Sequence, residues 1–341
     1  MTTNPDFDKE TTATAVAKAF SDEIRGRVIV IVGVSPQSIG ESMALALAAH
    51  EPSLLVFASR TKSKMEAVSS KVKSTHSNIK IELVEVDLST LASVREGAKL
   101  INQVVDRIDI LINNAAVVVQ EHKFTTDGLE MQFGTNHIGP FLLTNLLLPK
   151  LIKAAEEGTT RKGSTRIINL TSAGHIISPI RFSDHAFHKR PEDIPPEERP
   201  MSRPGVSFDP PPGKTYVPFV AYGQSKTANV LFSVSLTQKL SSQGIRSIST
   251  HPGSIWTDLS RHLDEKNQEL IRKTADFWKD ADQGAATTLV AALDPRLSRE
   301  LDVIYLSDCQ VAQAAGHACD EKAAERLWQL SESIVGRQFK L

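Results

Sequence analysis

Tyr222 and Lys226 lie four residues apart in the run Ala-Tyr-Gly-Gln-Ser-Lys from Ala221 to Lys226. On a helix, positions i and i+4 share a face, so the ammonium can sit beside the phenol. A free phenol titrates near ~10 and exchanges protons poorly at neutral pH. A cation within about 4–6 Å favours the phenolate and lowers that value. The pair is therefore a candidate general acid and base. A packed ring beside a solvated amine has the same spacing, so other signals must decide.

A second signal is a glycine-bearing turn. Residues Gly33 to Gly40 read Gly-Val-Ser-Pro-Gln-Ser-Ile-Gly, directly after the apolar run Arg27–Val32. Such a strand-to-helix turn lets backbone amides approach a pyrophosphate at a helix N-terminus. Gly33, Ser35, Ser38, Ile39 and Gly40 are thus candidate cofactor residues; a plain tight turn is the bland alternative. Where a second strand ends, an NAD site usually has an acid for the ribose hydroxyls. Here Ala58-Ser59-Arg60 stands instead. A small residue and an arginine suit a 2′-phosphate, which favours NADP(H) over NAD. Asp87, after the third strand, can accept from an adenine amino group or cap a helix.

These positions need elements to hold them. Strand-like runs are expected at 27–32, 54–58, 81–86, 109–112, 166–170, 245–250 and 303–306. Helical patterns fill the gaps at 39–50, 62–74, 91–105, 139–155, 222–240 and 283–293, with a last one at 320–334. Alternating strands and helices imply an α/β fold with a doubly wound, mostly parallel sheet. Asn113, Thr171 and His251 then fall at carboxyl ends of strands, where such sheets bind ligands. Residues 1–25 read as an N-terminal extension on a single domain, 26–341. Ser178–Pro218 holds ten prolines, too many for helix or central strand. It reads as a long surface insertion, either a simple surface elaboration or a segment that borders the substrate cleft; the second reading expects it to be mobile without ligand. Residues 254–282 are expected to form a substrate lid.

Composition narrows the class. The chain has 341 residues, 40% hydrophobic, with a net charge of −1. That implies no general affinity for nucleic acid or anionic membranes. Two cysteines, Cys309 and Cys319, cannot make a disulfide framework and fit a reducing compartment. The first residues lack a basic stretch followed by an apolar run. The apolar stretch Val28–Val32 is far short of the roughly 20 residues that span a bilayer. A cytoplasmic protein without an integral membrane segment is expected.

In order, the chain presents Gly33 and Gly40, Asp87, Asn113-Asn114-Ala115-Ala116, Asn136, Ser172, Tyr222 with Lys226, and Pro252-Gly253 before Thr257. This combination resembles the short-chain dehydrogenase/reductase family over roughly residues 26–310. Residues 133–140, 222–232 and 251–253 are most similar to the retinol-dehydrogenase-like branch. The opening turn and Tyr305–Cys309 resemble fungal members that act in secondary metabolism. The resemblance implies a Rossmann fold and an NADP(H)-dependent exchange of hydride with a ketone, aldehyde or secondary alcohol. It implies that Tyr222 is the proton donor, or base in reverse. Lys226 would hold the nicotinamide ribose and lower the phenol's pKa. Ser172 would bond the substrate oxygen, and Asn136 would support a water relay behind the lysine. Asp87 and Asn113 would border the adenosine; Ile255 and Thr257 would meet the carboxamide.

Three departures stand out. The phosphate turn is one residue longer than Thr-Gly-x-x-x-Gly-x-Gly, with Ser38 in place of its second glycine. The Asn-Asn-Ala-Gly signature ends in Ala116. The interval from Ser172 to Tyr222 is enlarged by the proline-rich insertion. A metal site is not expected: His185 and His188 have no third partner. A serine hydrolase would need a Gly-x-Ser-x-Gly elbow. An enoyl reductase has a similar turn but a wider Tyr-to-Lys spacing. A non-catalytic NADP-binding scaffold is the reading from another class. A fairly apolar small molecule is the expected partner, with a homo-oligomer left open.

Overall fold

In the computed structural model, residues 1–157, 162–201, 207–255, 277–299 and 302–340 are described. Eight strands form one sheet in the order β3-β2-β1-β4-β5-β6-β7-β8. They are β1 (Val28–Val32), β2 (Leu54–Ser59), β3 (Ile81–Glu85), β4 (Ile110–Asn113), β5 (Thr165–Leu170), β6 (Ile245–His251), β7 (Tyr305–Ser307) and β8 (Gln310–Val311). All neighbours are parallel except β7 and β8, which form a hairpin. Strand order reverses between β1 and β4, so a crevice opens at their carboxyl ends.

β-branched residues suit these strands, because both faces of the sheet are covered. Ile29 and Ile31 point into one apolar layer, Val30 and Val32 into the other. The first layer holds α1 (Ala13–Ala19), α2 (Ile39–Ala48), α3 (Lys62–Thr75) and the helix Ala281–Leu293. The second holds α4 (Leu91–Val104), α6 (Gly139–Glu156), α7 (Pro218–Leu240) and the C-terminal helix Glu321–Val335. A short α5 (Met131–Phe133) and a π-turn, Gly134–Ile138, lead into α6.

The expected elements are present, with ends displaced by a few residues. α7 starts at Pro218, not Tyr222, because proline's fixed φ suits the first helical position. The hairpin strand β8 and the π-turn were not anticipated. The extension contributes to the core through Ala13, Val16, Ala17, Phe20 and Ile24. The run Met131–Glu156 is long and apolar enough by composition to cross a membrane, which the expectation built on Val28–Val32 overlooked. Here it is a core helix, with 67% of its apolar window buried in protein.

The insertion makes contacts that its composition does not show. Its described part packs on the domain with buried side chains of its own. Phe187 and Tyr216 join Val220 and Ala221 of α7 in a small core. Buried Arg181 pairs with Asp184 at 2.5 Å. Gln224 of α7 accepts from the Arg181 amide at 2.9 Å and donates to the His185 carbonyl at 3.0 Å. Tyr216 donates to buried Glu130 at 3.0 Å. Such contacts tie that part to α7 and to the segment that carries Glu130. The lid expected at 254–282 falls mostly outside the described residues.

Candidate active site

Ser172 follows β5 and caps a short 3-10 turn, Ala173–Ile176, its Oγ accepting from the Gly174 amide at 3.1 Å. Tyr222 sits in the second turn of α7, with its phenol near enough to the Ser172 hydroxyl to feel it. Gly174 backs the ring: a Cβ there would lie 3.1 Å from ring carbons Cδ1 and Cε1. Any side chain would push Tyr222 aside. Lys226, one turn on, is 3% exposed. Its Nζ donates to the Leu170 carbonyl at 3.0 Å and lies 5.6 Å from the Tyr222 ring centroid. Thr171 Oγ1 donates to the Lys226 carbonyl at 2.7 Å, tying α7 to β5.

Burial dominates the electrostatics. It pushes the Tyr222 phenol up to about 12, while the Ser172 hydroxyl opposes that rise. It pulls the Lys226 amine down to about 7. Both directions disfavour charge in an apolar setting. The expected lowering of the phenol by the lysine is not present in this arrangement, because Nζ is turned to a carbonyl rather than to the phenol oxygen.

Asn136 lies in the π-turn, a geometry that re-aims side chains within a helix. Its Oδ1 accepts from the Val117 amide at 2.7 Å; its Nδ2 donates to Val117 O and Ser225 Oγ, both at 3.0 Å. Ser225 Oγ in turn donates to the Tyr222 carbonyl at 2.7 Å. Asn136 is thus joined through Ser225 to the turn of α7 that carries Tyr222. Its own carbonyl accepts from Asn229 Nδ2 at 2.7 Å.

The turn between β1 and α2 is built around Gly33. With φ +93°, it presses on Ala115: a Cβ would lie 2.7 Å from the Ala115 backbone. A Cβ on Gly40 would collide with the Gly33 carbonyl. Both glycines therefore make the close approach this turn requires. Ser38, at the position of the missing glycine, is the N-cap of α2 and donates to the Ser35 carbonyl at 2.7 Å. The extra residue is absorbed at Gln37, whose φ is +59°. Ile39 opens α2.

Arg60 is exposed just past β2, and among the described residues it has no carboxylate partner. Asp87 does not cap α4; Thr90 does. Instead Asp87 Oδ1 accepts from the Ser89 amide at 2.9 Å and hydroxyl at 2.7 Å, shaping the turn past β3. Asn113 is buried and turns its amide into the sheet, donating to Thr144 Oγ1 and Asn169 Oδ1, both at 2.9 Å. Ile255 pairs with Lys279 in a parallel bridge and packs on Gly284, near Ile39. Thr257 lies outside the described residues.

The structure adds residues that the sequence did not single out. Asn114 Nδ2 donates to the Gly33 carbonyl at 2.6 Å, clamping the turn. Buried Glu41 accepts from the Gln37 amide at 2.7 Å. Lys279 lays its stem against Gly253, whose φ is +90°, and pairs with Asp308 at 2.7 Å. Only Asn114 carried a signal, as the neighbour of Asn113.

Comparison with known proteins agrees with this geometry. The short chain dehydrogenase profile matches residues 27–182. Mouse retinol dehydrogenase 12 is 33% identical over 322 residues, covering 93% of this chain and 89% of that protein. The oxidoreductase fscI of Fusarium equiseti is 34% identical over 251 residues, covering 73% and 95%. The chain belongs to the short-chain dehydrogenase family. Its reaction class is accordingly nicotinamide-dependent oxidoreduction. A solved structure of an uncharacterised protein from Mycobacterium paratuberculosis superposes with a TM-score of 0.66 at 28% identity, covering 93% of this chain and 96% of that one.

Proposed function

We propose that this protein is an NADP(H)-dependent reductase or dehydrogenase for a ketone, aldehyde or secondary alcohol on a fairly apolar small molecule. The observation that carries the reading is the meeting of Ser172, Tyr222 and Lys226 at the strand ends beside the Gly33 turn. The residues fit a dinucleotide: Gly33 and Gly40 leave backbone bare where a Cβ would collide. Arg60, exposed and without a carboxylate partner among the described residues, fits a 2′-phosphate. The nicotinamide would supply or accept the hydride.

In the reducing direction, charge builds on the substrate oxygen as its carbon is attacked. Ser172 Oγ and Tyr222 Oη can donate to that oxygen where the charge develops. Tyr222 then gives up its proton and the alcohol is complete. Lys226, swung from the Leu170 carbonyl towards the ribose, would bring its positive charge nearer the phenolate and favour it. Asn136 fixes the face of α7 behind these groups through Ser225.

The name of the mouse relative supports an apolar alcohol or aldehyde. A role in secondary metabolism and a cytoplasmic location are part of the same reading and rest on sequence alone. The test follows NADPH absorbance with a panel of apolar ketones and aldehydes. Turnover with NADPH in preference to NADH is expected. Binding of NADPH without turnover of any carbonyl would favour the scaffold reading, and turnover of conjugated alkenes alone an enoyl reductase.

A further inference from the structure

The direction of the Ser172 hydroxyl depends on how its backbone is held. The Ser172–Ala173 peptide is one rigid plane, so fixing its two polar ends fixes its rotation. Two imidazoles that the reaction above does not use hold those ends. His175 Nδ1 donates to the Ser172 carbonyl at 2.7 Å, alongside its own backbone amide at 3.0 Å. His251, the last residue of β6, accepts from the Ala173 amide through Nδ1 at 3.2 Å.

The two contacts dictate opposite tautomers. His175 Nε2 accepts from the Ala315 amide at 3.1 Å, so its proton must be on Nδ1. His251 must keep Nδ1 bare, so its proton is on Nε2. His175 is itself fixed. It is 2% exposed, its carbonyl accepts from Thr227 Oγ1 and His317 Nε2, both at 2.9 Å, and Tyr305 packs 5.2 Å from its ring centre. The groups facing His251 are Asp308, Lys279, His175 and Lys226; those facing His175 are His317, Tyr305 and His251. Burial lowers both imidazoles, His251 to about 4, in keeping with the neutral rings that the two acceptor contacts require. A second proton on His251 would set a donor against the Ala173 donor.

We propose that His175 and His251 are a positioning pair that clamps the Ser172–Ala173 peptide from both ends and so aims the Ser172 hydroxyl at Tyr222 and the reacting oxygen. The inference rests on the carbonyl-reduction reading. It differs from simple core filling, because it requires specific nitrogens rather than volume.

Leucine at either position keeps bulk and removes the contact; asparagine can restore it, through Oδ1 at position 251 and Nδ2 at position 175. His251→Leu and His175→Leu should each lower kcat roughly 10-fold or more while the KM for NADPH stays within about 2-fold. His251→Asn and His175→Asn should recover most of kcat. Nitrogen-15 NMR of the wild-type imidazoles at pH 7 gives a reading free of activity and of variant folding. It should find His175 protonated at Nδ1 and His251 at Nε2. Opposite tautomers, charged rings, or leucine variants with wild-type kcat would overturn the proposal while leaving the reaction intact. A wild-type protein that binds NADPH, has the stated tautomers and reduces no carbonyl would instead overturn the reaction, and this inference with it.

Discussion

Lys226 Nζ stands 5.6 Å from the Tyr222 ring centroid and donates to the Leu170 carbonyl, not to the phenol. The lysine is thus held in reserve, one turn along α7 from the tyrosine. It sits nearly buried, with its amine pulled down to about 7 by desolvation. Tyr222, pushed up to about 12, keeps its proton and is poised as an acid.

In the proposed reaction Tyr222 supplies the proton. Tyr222→Phe should cut kcat by roughly 100-fold or more while NADPH still binds. Turnover near the wild-type value would remove Tyr222 from the reaction.

Burying Lys226 has a stability cost whose sign can be followed with pH. Its folded pKa, about 7, is below the ordinary 10.5. Between those values the unfolded chain holds a proton that the folded one lacks, so this residue's contribution to stability rises with pH across that window. Each unit is about 1.4 kcal/mol. Lys226→Met should therefore raise Tm at pH 7, by an amount that shrinks towards pH 10, while activity is lost. A lower Tm at pH 7, measured by calorimetry, would mean that the amine's contacts outweigh its desolvation.

Arg60 should choose between cofactors. Arg60→Ala should weaken NADPH binding by about 1.5–3 kcal/mol, the range for a charge-assisted contact, and leave NADH nearly unchanged. Isothermal titration with each nucleotide checks this. Equal weakening of both would make Arg60 a structural residue only.

Gly33 has no room for a side chain. Gly33→Ala would adopt a left-handed backbone at about 1–2 kcal/mol and press on Ala115. Loss of measurable NADPH affinity with a folded circular dichroism spectrum is expected. Unchanged affinity would place the phosphates elsewhere.

The insertion is anchored by a buried polar contact. Tyr216 donates to Glu130 at 3.0 Å and accepts from Gln132 Nε2 at 2.8 Å, and burial raises the Glu130 carboxyl. Tyr216→Phe should cost about 1–3 kcal/mol in urea unfolding by stranding those groups. Shortening 178–218 to a brief turn should cost more, because Arg181, Phe187 and Tyr216 lose their places together. Wild-type stability in the shortened protein would favour the picture of a loose flap.

Much of this protein is local, and local features are legible in sequence. Apolar β-branched runs made the sheet, 3.6-residue periodicity made the helices, and Tyr222 and Lys226 had to share a face of α7 because i and i+4 always do. Gly33 and Gly40 followed from the strand-to-helix turn between them. What depends on packing between distant segments was decided only by the tertiary structure. Asn113 turned its amide inward because Thr144 and Asn169 offered partners there. Lys226 faced Leu170 because β5 runs beside α7. The packing of the proline-rich stretch was not legible because partners such as Glu130 and Gln224 lie outside it. His175 and His251, 76 positions apart, meet on one peptide because β5 and β6 are neighbours, and no spacing along the chain records that adjacency.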